Sequence, residues 1–267
     1  MIIIGEKINA TNKRVSEAIV NKDAAFIQKL AQQQSDAGAS YIDVNTGTGQ
    51  GAEQEIASLK WAIDTVQSVT DLPLCLDSSD PQALLAAMAH YQGSKAMINS
   101  VNAEPEKLEP LGRLAAERQV PLVALVMGER GIPGSVEERL SAADLIVNHL
   151  TRLGVREDQL FFDTLLLPIS VDTGQGLVTL KTIQQLKSRY PSANTVIGLS
   201  NVSFGLPNRG IVNQAFLLMA ISAGLDAAIL DPLDAKVMSF VRVADMLTDK
   251  DPACKGFIRA HRKGLLM

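Results

Sequence analysis

Short runs of branched apolar residues alternate along this chain with longer stretches in which apolar positions recur every three or four residues. The first pattern is that of buried strands and the second that of amphipathic helices. Strands are predicted at Ile2–Ile4, Tyr41–Val44, Leu74–Leu76, Ala96–Ile98, Leu122–Val126, Leu160–Phe162, Thr195–Gly198 and Ala227–Leu230. Helical periodicity lies between them, for example over Ala24–Ala37, Glu53–Val69, Pro81–His90 and Glu104–Arg118. Local chemistry agrees with this division. Asp80-Pro81 offers an N-cap followed by proline at the first helical position, and Asp23 precedes the first periodic run. Gly38 and Gly154 stand just past helix ends, where a left-handed residue is wanted. Strand–helix units that repeat eight times, with no strand left over, predict a closed (β/α)8 barrel, a TIM barrel, formed as one domain by residues 1–267. An open doubly wound sheet is the rival. It is disfavoured because Gly-Glu-Lys-Ile-Asn follows the first strand where a Gly-x-Gly-x-x-Gly turn would be expected.

Composition adds exclusions. With 46% hydrophobic and 20% charged residues, the 267-residue chain has ample material for a core. A net charge of −4 gives no basic stripe for nucleic acid. No run approaches the roughly 18 apolar residues of a membrane span, and no basic-apolar leader opens the chain. Two isolated cysteines, Cys75 and Cys254, make neither a disulfide framework nor a Cys-x-x-Cys site, so a reducing cytoplasm is expected.

In a barrel of this kind, function belongs to the loops at the carboxyl ends of the strands. Those ends carry Glu6 and Asn9, Asp43 and Asn45, Asp77 and Ser78, Asn99 and Ser100, Met127 and Glu129, Asp163, Ser200 and Asn201, and Asp231. The result is a polar ring of carboxylates and amides. His90, His149 and His261 fall on or near helices, and no His-Glu-x-x-His, His-Cys cluster or Gly-x-Ser-x-Gly elbow occurs. Neither a metal site nor a serine triad is therefore expected. Lys7 is the sole candidate near a strand end for a Schiff base. Asp77, Asn99 and Asp163 together suit a heterocycle that carries an amino group beside a ring N–H and a carbonyl: carboxylates accept from the donors and an amide meets the mixed edge. Each bond to a charged partner is worth about 1.5–3 kcal/mol, so three suffice to set ligand choice.

The stretches GEKIN, DVNTG, CLDSSDP, MINSVNAE, GIP, FDTLLLPISVDTG and GLSNVSFGLPNR, in this order, resemble the pterin-binding methyltransferases, and most of all the methyltetrahydrofolate:corrinoid methyltransferases. The resemblance spans essentially the whole chain. It implies a (β/α)8 barrel, usually a homodimer, that moves a methyl group between N5 of tetrahydrofolate and the cobalt of a corrinoid held by a separate protein. It implies that Asp77, Asn99 and Asp163 bind the pterin edge, in agreement with the hydrogen-bond reading. Asn201 matches the asparagine that meets N5, Gly198 and Ser200 line the same turn, and Arg209 matches a basic residue placed to meet polar or anionic parts of the ligand. Glu6, Asp43 and Asn45 form a second tier. Two departures occur: Lys7 stands where arginine is more common, and Thr164 where proline often follows the aspartate.

The stretch Thr195–Gly210, TVIGLSNVSFGLPNRG, then acquires a chemical reading. Gly198 would let the backbone approach a flat ligand. Asn201, a neutral amide, would either donate to N5 or accept from its protonated form, and so respond to charge changing on that nitrogen; otherwise it would cap the next helix. A cobalt-ligating Asp-x-His-x-x-Gly motif is not formed by RAHRKG, where Arg259 precedes His261 and Gly264. The corrinoid is therefore expected on a partner or free. Alternatives are a dihydropteroate synthase-like enzyme, whose late Ser-Arg-Lys motif has no counterpart here, a non-catalytic pterin-binding module, and an aldolase-like barrel using Lys7. The direction of transfer is not encoded, since the same residues serve both.

Overall fold

The computed structural model describes residues 1–93 and 95–267. Eight parallel strands close into a barrel in chain order: β1 (Ile2–Asn9), β2 (Tyr41–Asn45), β3 (Leu74–Asp77), β4 (Ala96–Val101), β5 (Leu122–Leu125), β6 (Leu160–Asp163), β7 (Asn194–Gly198) and β8 (Ala227–Leu230). Around it lie α1 (Lys13–Val20), α2 (Ala24–Asp36), α3 (Ala52–Gln67), α4 (Pro81–His90), α5 (Pro105–Arg118), α6 (Val136–Arg152), α7 (Gln175–Arg189), α8 (Arg209–Ser222) and α9 (Ala235–Leu247), with α10 (Lys255–Arg262) packed on α9. Every predicted strand is present. Asp80 and Asp23 cap α4 and α2 through Gln82 N and Phe26 N, and Gly38 and Gly154 take φ of +96° and +94°.

Ten α-helices among the described residues exceed the one-per-strand expectation. The β1–β2 connection holds two of them. Asn12 starts α1 by accepting from Arg14 N and Val15 N, and a turn with Lys22 at φ +52° separates α1 from α2. Val15, Ala18 and Ile19 give α1 one buried face, but at eight residues it is shorter than the roughly 11–18-residue windows over which helical periodicity is read.

β1 also runs well past Ile4, so Gly-Glu-Lys-Ile-Asn lies inside the strand and not in a loop. Its pairing with β2 passes from Gly5↔Ile42 to Ile8↔Val44, which leaves one extra residue on β1. That is a bulge. The buried side chain of Gln34, from α2, accepts from Lys7 N at 3.0 Å in place of a ladder partner. Gly5 makes the approach possible, since a Cβ there would stand 2.3 Å from Gln34 Oε1.

Two side-chain periods explain both the core and the mouth. On β2 and β3, Ile42, Val44, Leu74 and Leu76 face the helices and join the main apolar core. The opposite set fills the barrel interior, with Ile4, Cys75, Met97, Val123, Phe161, Val196 and Ala227 in one apolar cluster. Two residues further along each strand, on the same inward face, the chemistry changes. Cys75 is followed by Asp77, Met97 by Asn99, Phe161 by Asp163 and Val196 by Gly198. An apolar plug thus closes the barrel below a polar layer at the carboxyl rim.

Candidate active site at the barrel mouth

Register places the polar layer side by side. Asn45 pairs with Asp77 across β2 and β3, and Asp77 with Asn99 across β3 and β4. Asn45 Nδ2 donates to Asp77 Oδ2 at 3.0 Å, so the amide orients the carboxylate from behind. The Asn99–Ser100 peptide bond is cis, and Asn99 O accepts from Ser78 N at 2.9 Å. Asp163, at the end of β6, accepts from Leu165 N at 2.8 Å through Oδ1.

These side chains face a cavity of about 1030 Å³ at the carboxyl ends of the strands. Glu6, Asp43, Asp77, Asn99, Asp163, Gly198, Ser200, Asn201 and Arg209 all line it. Asn45 stands behind Asp77, and Glu129 lies in the β5–α6 loop away from the cavity lining. His90 and His149 pair with Asp64 and Glu109 on the outer helices, and His261 belongs to α10.

The carboxylates are held unusually close to neutrality. Burial pushes Asp77 up to about 6, with the bond from Asn45 working against it. Asp163 is also pushed up to about 6 by burial, opposed by the Leu165 N–H and then by the positive charge of Arg139. Asp43 is fully buried below them, and burial and the neighbouring Asp77 charge push its pKa well up. Its Oδ1 has no hydrogen-bond partner. Glu6 is raised by burial, although Ser200 Oγ donates to it at 2.7 Å. Acidic groups crowded and desolvated in this way, around a concave site, are what a ligand rich in N–H donors would relieve.

Three features of the turn after β7 bear on its chemistry. Asn201 ends a short 3-10 turn, Leu199–Asn201, and makes no side-chain cap for α8, whose N-cap is Asn208. Its amide is exposed at the cavity, and the capping role is excluded. Gly198 has φ −82°, so no left-handed backbone requires glycine there. Its need is spatial: a Cβ would stand 3.0 Å from Asn201 Nδ2. Arg209 lines the cavity and also holds the turn. Nε donates to Ser203 Oγ at 3.0 Å and Nη2 to Ser200 O at 2.6 Å, so Arg209 clamps the segment that carries Asn201. Gly198→Ala should therefore shift the Asn201 side chain while leaving the fold intact. Thermal unfolding should change by less than about 1 kcal/mol, whereas turnover should fall well below the parent's.

Several lining residues escaped sequence reasoning. Lys7, singled out only as an amine, is ion-paired with Asp231 at 2.8 Å across the β1–β8 seam. Lys107, in the first turn of α5, is held by Glu104 at 2.9 Å. Asn213 lies one turn beyond Arg209 on α8, and its buried Oδ1 has no partner. Four-residue spacing from Arg209 was the available signal for Asn213; none existed for Lys107.

A parallel (β/α)8 barrel with a carboxylate-and-amide mouth defines the class, and residues 5–231 match the family described as pterin binding enzyme. The chain belongs to that family. It is 35% identical over 266 residues to the methylcorrinoid:tetrahydrofolate methyltransferase of Eubacterium limosum, covering 99% of this chain and 97% of that protein. It is also 33% identical over 261 residues to methionine synthase of Mycobacterium leprae, of which the match spans 21%. Among solved structures, dihydropteroate synthase from Stenotrophomonas maltophilia superposes with a TM-score of 0.70 at 18% identity, covering 94% of this chain and 93% of that one. Dihydropteroate synthase from Xanthomonas albilineans in complex with 7,8-dihydropteroate gives 0.69 at 19%, with 94% and 93% covered. At such identities the likeness concerns the fold. Among the described residues no helix is long and apolar enough to cross a membrane, and no cluster of three or more His, Cys, Asp or Glu could hold a metal ion.

Proposed function

We propose that the protein is a methyltransferase that moves a methyl group between N5 of tetrahydrofolate and the cobalt of a corrinoid. The observation that carries this reading is the near-full-length similarity to a methylcorrinoid:tetrahydrofolate methyltransferase, joined to a mouth built from Asp77, Asn99 and Asp163. The dihydropteroate synthases share the fold at under 20% identity, which makes their chemistry the weaker reading.

In this reading Asp77 and Asp163 accept from the amino group and ring N–H of the pterin, and Asn99 meets its mixed edge. Asn45 keeps Asp77 oriented. Demethylation breaks the N5–methyl bond and leaves its electron pair on nitrogen; Asn201, turned to donate, gains strength as that density appears. In the reverse direction the same amide releases the nitrogen as it takes the methyl group. The protein supplies position and electrostatics, and the corrinoid supplies the metal–carbon chemistry. The corrinoid is treated as a substrate that arrives on a partner protein or free. Arg259 stands where a cobalt-ligand motif would need aspartate, and α10 packs on α9 outside the mouth lining. The homodimer implied by the resemblance belongs to the same proposal.

Acceptors must be ionised to receive two N–H groups. Burial raises the pKa of both Asp77 and Asp163 to about 6, so folate affinity should be level above pH 7 and fall as pH drops through about 6. Titration calorimetry between pH 5 and 8 checks this; affinity that rises on acidification would contradict it. An anaerobic spectrophotometric assay tests the reaction itself, by following cob(I)alamin turning into methylcobalamin on addition of methyltetrahydrofolate, and the reverse. Transfer in either direction supports the proposal. Absence of transfer with folate still bound would leave a binding module, and absence of binding would overturn the pterin reading.

A further inference from the structure

Once Asp77, Asn99 and Asp163 are assigned to the pterin edge and Asn201 to N5, the remaining lining of the mouth divides between the ends of β3 to β5, with Asn102, Lys107 and Met127, and the ends of β1 and β8. There Lys7 and Asn12 also line a second cavity, of about 530 Å³, between α1 and α2. Lys7 and Asn12 form a wall that the two spaces share, so a flexible chain that leaves the pterin site on this side comes within reach of the α1–α2 cleft.

The cleft has the opposite electrostatic character to the mouth. The mouth is lined by Glu6, Asp43, Asp77, Asp163, Asp231 and Asp234 against Lys7, Lys107 and Arg209. The cleft has Lys7, Arg14 and Lys29 against Asp23 alone. Asp23 is already engaged, since its Oδ1 accepts from Phe26 N at 3.1 Å as the cap of α2. Arg14 holds its guanidinium over the Phe26 ring, 4.6 Å from the centroid. This contact holds the guanidinium carbon over the ring and leaves N–H groups available to a carboxylate. Among the described residues neither Arg14 nor Lys29 has a side-chain hydrogen bond or an ion pair. Two unsatisfied cations, one of them pre-oriented, therefore stand at the exit from an acidic mouth. Nothing in methyl transfer at N5 uses them.

We infer that the α1–α2 cleft is a subsite for the carboxylates of a γ-linked polyglutamate tail on the folate substrate. The inference rests on the folate reading of the mouth. Each additional γ-glutamyl residue brings one α-carboxylate, which the acidic mouth repels and the cleft attracts. Arg14 and Lys29 take these carboxylates; Lys7, paired with Asp231, forms the threshold between the two cavities. The partners are exposed, so the gain is modest and salt-dependent.

Titration calorimetry with monoglutamyl and pentaglutamyl methyltetrahydrofolate tests this directly. For the parent protein at low salt, the pentaglutamate should bind about tenfold more tightly, and the advantage should shrink when salt is raised. In Arg14→Ala/Lys29→Ala the advantage should disappear while monoglutamate affinity stays at the parent value. Lys13→Ala/Lys181→Ala, which removes the same charge from exposed positions outside the cleft, should retain it. Equal affinities for the two ligands in the parent, or an advantage that survives in Arg14→Ala/Lys29→Ala, would overturn the subsite while leaving the folate reading intact. Failure of the monoglutamate to bind would overturn both.

Discussion

Replacing Asn201 by alanine is expected to lower the rate of methyl transfer by about 10²–10³-fold, with folate affinity reduced no more than a fewfold. Asn201 ends a 3-10 turn immediately beyond β7, its amide exposed at the cavity, with Gly198 leaving room for Nδ2 and Arg209 tying down the backbone of Ser200. Three devices therefore position a side chain that has no structural hydrogen bond of its own. A group held in this way contributes little to ground-state binding, which the carboxylates across the mouth already dominate. Its bond strengthens only as charge changes on the nitrogen that loses or gains the methyl group. Asp163→Asn should behave in the opposite sense. It retains the shape but replaces one acceptor oxygen by a donor, so affinity should fall by about tenfold or more and the bound substrate should still react. Single-turnover rates and calorimetric affinities for both variants separate the two patterns. Equal losses of rate and affinity in Asn201→Ala would remove Asn201 from the transition state.

The sequence made the architecture legible because its two periods do not overlap. Strand runs of three to five residues, separated by helical stretches with capping aspartates and terminal glycines, leave little choice but a repeated strand–helix unit. The polar ring was legible for the same reason: once strands end where the apolar runs end, the next inward residue is named by counting two. Longer-range geometry was not legible. Nothing local in Gly-Glu-Lys-Ile-Asn indicates that β1 continues through a bulge, because the partner that permits it, Gln34, lies 27 residues away from Lys7 and on a helix. Arg209 read as a ligand contact because its charge is visible in the sequence, whereas Ser203 Oγ and Ser200 O, which take two of its N–H donors, become neighbours only when the turn folds. Gly198 was singled out for close approach to a ligand; a second demand, from the Asn201 side chain that a Cβ there would meet at 3.0 Å, was not legible because it depends on how the following turn folds.

The largest effect on stability is expected at a residue that sequence reasoning passed over. Arg139 lies one turn into α6, behind a capping box formed by Ser135 and Glu138, and is wholly buried. Nε donates to Pro133 O at 3.2 Å, Nη1 to Thr164 O at 2.7 Å and Thr179 Oγ1 at 3.3 Å, and Nη2 to Gln175 Oε1 at 2.9 Å. The planar fork thus joins the β5–α6 loop, the residue that follows Asp163 and the start of α7. Arg139→Met preserves the stem but strands a buried carbonyl and a buried amide oxygen, and should cost about 3–5 kcal/mol in urea unfolding. Arg139→Lys keeps the charge but cannot span four acceptors, so an intermediate loss is expected. The two variants also separate electrostatics from architecture. The Arg139 charge lowers the pKa of Asp163, so its removal in the Met variant should push that carboxyl above about 6. The fall in folate affinity on acidification should then begin at a higher pH in Arg139→Met and stay near the parent position in Arg139→Lys. Met and Lys variants with the same pH profile would mean that Arg139 acts on the site through the loops alone, and a Met variant as stable as the parent would mean that the loops hold without it.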